Sequence, residues 1–482
     1  MIEYLFIKTG KLLERNLFDR LTERWEAEVY SMSSVVTVPG ASGTDAYNTN
    51  FTINYYSNLG LLSKQLLDSV LPQNYSANAP NTSINPLSST NMPYSVAIFE
   101  PGSNASVSIP QGYEVSVLAP LASGSVSNTV YFNQNTLDNQ LIFFGQAGNF
   151  LQLAQGSGTV VGALGDNTIA GGTTGAWSVM TDGAASTSGT PGSLVFGNGS
   201  SMQVSSLGTD TFVGGTGAAT VATYGNGSEI WGGQSGSSLS FTSHSDGIDT
   251  YMGGAGSDTV FAESSGGFYQ GGSGNLTFVN DTGSPTLFGG SGSETLFSGS
   301  GNGLYMQGSG SFSLTNGGGT QHVFGSSVSG VYYSGTGGEI DVIGSSASNT
   351  FFAGAGNVTL SSAFSSGDNL FVGGTGRQSI FGGSGNDTFF GGAGTSTIFG
   401  GGGQDVFAVV NGQAGGNLSI YGFEANSDLA ILGYGQTAQD VLNAAQSTVV
   451  GGASSLQITL SDSTTITLVG VNQLNQNQIA TT

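Results

Sequence analysis

Asp387 and Asp405 are the two side chains of this sequence best placed to do chemistry together. Each is the sixth residue of a nine-residue unit, GGSGNDTFF from Gly382 and GGGGQDVFA from Gly400, and the two stand eighteen residues apart. Carboxylates are hard oxygen donors. Two of them beside carbonyl-rich glycine turns make an oxygen cage suited to Ca²⁺. The plainer alternative is that both aspartates cap turns on a solvated edge.

The elements that must bring them together are legible in the same stretch. Four nine-residue units run without a gap over residues 373–408: GGTGRQSIF, GGSGNDTFF, GGAGTSTIF and GGGGQDVFA. Paired glycines take positive φ at little steric cost, as a tight turn demands. A short strand follows each turn, and side chains alternate across a strand. The eighth residue therefore points inward and the seventh outward. Two units close one coil of eighteen residues. Residues eighteen apart stack about 4.8 Å apart in parallel strands. Asp387 and Asp405 fall on one side of adjacent coils, and Gln378 and Ser396 fall on the other.

The same register runs upstream through GGSGSETLF at Gly289, GGSGNLTFV at Gly271, GGAGSDTVF at Gly253 and GGTGAATVA at Gly214, with slips near 180–196, 241–243, 334–343 and 362–364. The eighth positions keep the pattern best. Phe212, Val221, Ile230, Tyr251, Val260, Phe278, Leu287, Leu296, Tyr305, Leu314, Val323, Tyr332, Phe351, Leu360, Phe371, Ile380, Phe389, Ile398 and Phe407 are the expected core column. Most sixth positions lack a carboxylate, as at Ala219, Gly267, Leu276, Pro285, Phe312 and Val358. Asp210, Asp249, Asp258 and Glu294 keep one without an acidic partner eighteen residues away. They are weaker metal positions or ordinary surface charges, and the second reading is the expected one. Asn349, Asn369, Asp387 and Asp405 share a column once the slips are allowed for. Asn369 is a further weak metal candidate there, where the cage fades into an amide ladder. Apolar stacking must hold most of the coil.

Ninth positions are often large and apolar: Phe261, Phe288, Phe297, Phe324, Tyr333, Phe352, Phe381, Phe390 and Phe399. The coil is expected to bend after position eight and tuck them in. The alternative is an outer aromatic stripe for partners or lateral assembly.

Composition narrows the classes. The chain has 482 residues, 82 of them glycine, no cysteine, 8 % charged residues and a net charge of −23. The apolar periodicity argues against a disordered Gly/Ser tract. Strong acidity makes nucleic acid and anionic membrane improbable partners. No disulfide framework is available, and no apolar run is long enough for a membrane-spanning helix.

Residues 1–31 hold Lys8, Lys11, Arg15, Arg20 and Arg24, five of the chain's 7 basic residues. They read as a basic leader or as an extension from a misassigned start, with Met32 as the alternative first residue. Residues 32–129 read as a small mixed cap or binding region. It has one helix over 59–71, ending at Pro72, and strands at VAIF (Val96), ASVSI (Ala105) and YEVSVL (Tyr113). Residues 130–408 read as the coil, and 409–482 as a C-terminal β cap.

The nonapeptide resembles the repeat of the RTX (repeats-in-toxin, hemolysin-type) family, GGxGxDxUx with U apolar. That resemblance implies an all-β parallel β-roll or β-solenoid. It implies calcium held by Asp387 and Asp405 together with turn carbonyls of Gly382, Ser384, Gly400 and Gly402. LSIYGFEANSDLAILGYG from Leu418 and SLQITLSDSTTITLVGVNQL from Ser455 are similar to the tail of type I secreted members, although the final QNQIATT departs from it. The resemblance thus implies type I secretion machinery as a partner and an extracellular or bacterial cell-surface location.

Many members carry an enzyme ahead of the repeats. His244 and His322 are the chain's histidines, both within the array, so an HExxH zinc site is impossible and a serine hydrolase lacks its usual base. Lys64 and Arg377 are too scattered for a polysaccharide lyase. A glycosidase with paired carboxylates stays open. The expected class is not an enzyme. It is a secreted structural protein that self-associates or, alternatively, an adhesin that grips a cell-surface glycan. An ice-binding surface is a distant third, from outward threonines such as Thr259, Thr277, Thr295 and Thr388.

Overall fold

The computed structural model describes the strands at 33–38, 51–56, 85–86, 96–99, 106–109, 115–118, 128–132 and 140–144. From residue 149 on it describes all but 154, 165–166, 183–191, 226, 245–247, 264–265, 414 and 482. The basic segment 1–31 and the helix expected over 59–71 lie outside the described residues. The chain divides into two compact units, Met1–Ser257 and Asp258–Thr482.

In each unit the chain winds as a parallel β-solenoid with little helix. Alternate strands feed two parallel sheets. In the first unit one ladder runs from Val96–Phe99 through Val115–Leu118 to Ser238–Ser243. The other runs from Ser106–Ile109 and Asn128–Phe132 to Thr250–Met252. In the second unit one ladder ends at Ile479–Thr481 and the other at Thr465–Leu468. Parallel coil pairing therefore extends outside residues 130–408 on both sides. The strands expected at Val96, Ala105 and Tyr113 are themselves rungs of the ladders.

The reason is the alternation anticipated from the repeat. Strands of three residues show an intermediate–buried–intermediate pattern, as at Thr388–Phe390 and Leu370–Val372. Every eighth-position residue from Phe212 to Phe407 is buried, none more than 2 % exposed. Phe351, Phe371, Phe389 and Phe407 stack in one column, with successive ring centroids 4.6, 5.1 and 5.0 Å apart and planes within 8°. Offset aromatic stacking adds to the burial of each ring. The turns close as tightly as the glycines allow. Gly401 has φ +98°, and a Cβ there would meet the Gly383 carbonyl oxygen at 1.9 Å. Any other residue would break the coil-to-coil spacing.

The ninth-position residues are not tucked in. Alternation continues one residue past the core position, so these side chains face outward. Phe297 and Tyr333 are 44 % and 43 % exposed, and Phe261, Phe324 and Phe399 are exposed as well. Neighbours pack on each other instead of on the core. Tyr333 stacks on Phe352 at 4.9 Å, and Phe381, Phe399 and Tyr421 stack at 4.8 Å spacings.

The C-terminal strand pair is present as Ala453–Thr459 antiparallel to Thr465–Leu468, with Gln446–Val450 added outside it. The C-terminal region also holds a short helix, Ala438–Ala444, in addition to its strands. Its signal is a capping box, in which the Thr437 hydroxyl accepts from the Asp440 N–H and the Asp440 carboxylate accepts from the Thr437 N–H. Among the described residues no helix is long and apolar enough to cross a membrane.

Candidate metal centre

Asp387 sits where the chain leaves the strand Arg377–Gly383 and enters Thr388–Phe390. Asp405 occupies the same place one coil later. Both face inward, 0 % and 2 % exposed, so the reading as caps on a solvated edge is wrong. The coil period makes them neighbours. The Asp387 N–H donates to Asp405 Oδ1 at 3.0 Å across eighteen residues. The Asn369 N–H and Nδ2 donate to Asp387 Oδ1 at 2.7 and 3.0 Å. The ladder continues upward, with the Asn349 N–H on Asn369 Oδ1 at 3.1 Å and the Gly330 N–H on Asn349 Oδ1 at 2.9 Å. The amide ladder read from the sequence is thus present, and Asn369 is its rung above the aspartates.

One oxygen stands apart. Asp387 Oδ2 is buried and accepts no hydrogen bond. A buried carboxylate oxygen left unpaired is costly, so a cation fits there. The floor of the site is glycine. A Cβ on Gly382 would lie 2.5 Å from Asp387 Oδ2 and 2.3 Å from the Gly400 carbonyl oxygen. A Cβ on Gly400 would lie 2.5 Å from Asp405 Oδ2. The space over Gly382 therefore holds Asp387 Oδ2 beside the Gly400 carbonyl oxygen, and the space over Gly400, one coil on, holds Asp405 Oδ2. Ser384 and Gly402 lie farther along the same turns, where the Ser384 hydroxyl leans on the Ser365 carbonyl at 3.4 Å and the Gly402 N–H donates to the Gly383 carbonyl at 2.9 Å. Among the described residues no three of His, Cys, Asp and Glu converge on one point. A metal here depends on backbone carbonyls beside the two carboxylates, and an all-oxygen donor set is the one Ca²⁺ takes.

Glu294 passes the same test in the unit GGSGSETLF. It is 2 % exposed, its Oε2 has no hydrogen-bond partner, and the Gly290 N–H donates to its Oε1. Cβ atoms on Gly289 and Gly271 would lie 2.6 and 2.8 Å from its carboxylate oxygens. The surface-charge reading fails for Glu294, and equally for Asp210, Asp249 and Asp258, which are 3, 0 and 4 % exposed. All four point into the coil because position six, like position eight, faces inward.

Where position six is glycine, a phenol takes the carboxylate's place. Cβ atoms on Gly303 and Gly330 would lie 2.3 and 2.5 Å from the hydroxyls of Tyr305 and Tyr332, two residues on. Burial pushes the Tyr305 phenol up to about 12, against partial relief from Ser298 and Asn280, and raises that of Tyr332 as well. These tyrosines stay neutral and fill the coil.

Burial is also the main cause that pushes Asp387 up to about 7. Asn369's two donors oppose it, and the charges of Asp405 and Asp368 add to it. Asp405 is raised too, by burial first and then by Glu424, against the Asp387 N–H. In calcium-free protein the folded state therefore keeps a proton on Asp387 that the unfolded chain gives up above its ordinary value of 3.8. Its stabilising contribution is whole below that value and is lost as pH rises through about 7. Calcium competes with that proton, so calcium affinity should climb across the same window and level off above it. Melting temperatures in chelator from pH 4 to 8, for wild type and Asp387→Asn, check this. The variant should show the shallower fall with pH, and an equal slope in both would contradict the assignment.

The family model for the RTX calcium-binding nonapeptide repeat matches the chain in four copies, at residues 245–275, 282–305, 365–398 and 381–408. These copies contain Asp249 and Asp258, Glu294, and Asp387 with Asp405. No curated protein matches the chain. The matched segments lie in the parallel coils and glycine turns described above, and this chain carries RTX repeats, the calcium-binding nonapeptide.

Proposed function

We propose that the protein is a secreted calcium-binding solenoid with a structural role at the bacterial surface or in extracellular matrix, and that it self-associates. Calcium would sit at Asp387 and Asp405, with the carbonyls of Gly382 and Gly400 and the nearby turn residues Ser384 and Gly402 completing the shell. Glu294 is a lone-carboxylate companion site. Residues 32–129 would cap or bind, and residues 409–482 would cap the last coils and carry the export signal.

The observation that carries the assembly reading is the outer aromatic register. In the second unit Phe261, Val279, Phe297, Thr315, Tyr333, Phe352, Val372 and Phe390 align rung by rung on the outside of one sheet. Exposed apolar area of this kind marks an interaction surface. The ring geometry favours another protein face over a sugar. Parallel rings only 4.9 Å apart, as at Tyr333 and Phe352 in this column, cannot lie side by side in one plane. They stack like tilted plates and turn edges outward, whereas a glycan needs ring faces. The adhesin reading is second for that reason.

Replacing Phe297 and Tyr333 by serine should leave the coil folded, since both lie outside the core. It should shift assembly to at least about tenfold higher protein concentration in calcium, because each ring brings on the order of 1 kcal/mol of buried apolar area to a contact. Sedimentation velocity and electron microscopy of wild type and variant decide it. Unchanged assembly would remove this face from the contact.

A further inference from the structure

Position six carries an inward carboxylate in several coils, yet the coils treat it in two ways. The difference lies in the residue that faces inward next after the core position of the preceding strand. At Asp387, Asp405 and Glu294 that residue is Gly382, Gly400 and Gly289. At Asp210 and Asp249 it is Ser206 and Ser243.

The hydroxyls satisfy the carboxylates. Thr181 Oγ1 and Ser206 Oγ donate to Asp210 Oδ2 at 2.5 and 2.6 Å, and the Ser193 N–H donates to Oδ1 at 2.6 Å. Thr223 Oγ1 and Ser243 Oγ donate to Asp249 Oδ2 at 2.7 and 2.6 Å, and the Ser228 N–H donates to Oδ1 at 2.8 Å. Thr181, Ser206, Thr223 and Ser243 align in register as one buried hydroxyl column at the end of the sheet. Each aspartate takes two donors from that column and one from the coil before it. No buried oxygen is left facing a glycine cradle, and the residues do not fit a cation.

We infer that Asp210 and Asp249 are hydroxyl-capped structural clamps that bind no calcium, so that calcium controls the coils of the second unit while those around residues 194–243 hold without it. The contrast rests on the calcium reading for Asp387 and Asp405. The clamp geometry stands apart from it. A buried carboxylate that accepts three short hydrogen bonds already has the stabilisation a cation would bring, and calcium would have to break them.

Two measurements on the full chain test this. Hydrogen exchange in calcium and in chelator reads each coil separately. In chelator, amides of 365–410 should lose protection about tenfold or more, and those of 194–243 should change less than about twofold. Comparable loss in 194–243 would overturn the inference. Calorimetric calcium titration of Asp210→Asn with Asp249→Asn should give the wild-type number of bound ions, and a lost ion would overturn it as well. Asparagine is tolerated in this geometry. At Asn349 and Asn369 the side-chain Nδ2 donates to Ser345 Oγ and Ser362 Oγ, each at 3.0 Å, in the same part of the coil. If Asp387→Asn with Asp405→Asn keeps every ion, the calcium reading fails and the clamp assignment is untouched.

Discussion

Asp387→Asn with Asp405→Asn should remove the main calcium response of this protein. Calorimetry should show fewer bound ions, and the stability gained on adding calcium should shrink. At free calcium a hundredfold above the dissociation constant, one site stabilises the folded state by about 2.7 kcal/mol, and that increment is what the variant loses. The calcium-free protein should behave in the opposite way. Two buried carboxylates in adjacent coils repel, and burial disfavours their charged forms. Amides remove both costs and keep the acceptor oxygen each rung needs, as Asn349 and Asn369 already do. Without calcium the variant should therefore unfold at the same or a higher denaturant concentration than wild type above pH 7. A binding isotherm identical to wild type would refute the assignment of these aspartates.

Phe389→Ala carries the largest expected loss of stability, and calcium should not rescue it. Phe389 is 1 % exposed and lies between Phe371 and Phe407 at 5.1 and 5.0 Å. Truncation loses the transfer free energy of the ring and leaves a cavity between two rings whose backbones are fixed by ladder hydrogen bonds. Changes of this kind cost about 3–5 kcal/mol. The next residue is the control. Phe390 points outward in the same strand, so Phe390→Ala should cost about 1 kcal/mol or less. In a solenoid each coil contacts only its neighbours, so the damage should be local. Urea denaturation gives the two magnitudes, and hydrogen exchange should place the lost protection in the coils on either side of residue 389. Equal costs for the two substitutions would mean that the inward–outward alternation is wrong.

The candidate centre was partly legible in the chain. The eighteen-residue spacing put Asp387 and Asp405 on one side of adjacent coils, and the slips were regular enough to join Asn369 and Asn349 to them. The structure gives those rungs as hydrogen bonds over 18, 18, 20 and 19 residues. Asp210, Asp249, Asp258 and Glu294 are buried rather than surface charges, although none has an acidic partner eighteen residues away. Position six faces inward whether or not a second acid stands eighteen residues away.

What the amino-acid order determined by itself is the period and the core column. A glycine turn and a two-residue alternation are local, and stacking only repeats them, so each eighth residue from Phe212 to Phe407 is buried. Only the tertiary structure decided the fate of each inward carboxylate. The donors that close Asp210 come from Ser206, four residues away, and from Thr181, twenty-nine residues away across a lengthened coil. No repeat template carries that register. The outward turn of the ninth residues was likewise decided in three dimensions, because nothing local says whether a strand ends at its core residue or one residue later. The ladders at residues 96–132 and 428–481 have the same explanation. Neighbouring coils supply the hydrogen bonds that hold those strands where the glycine pairs are missing.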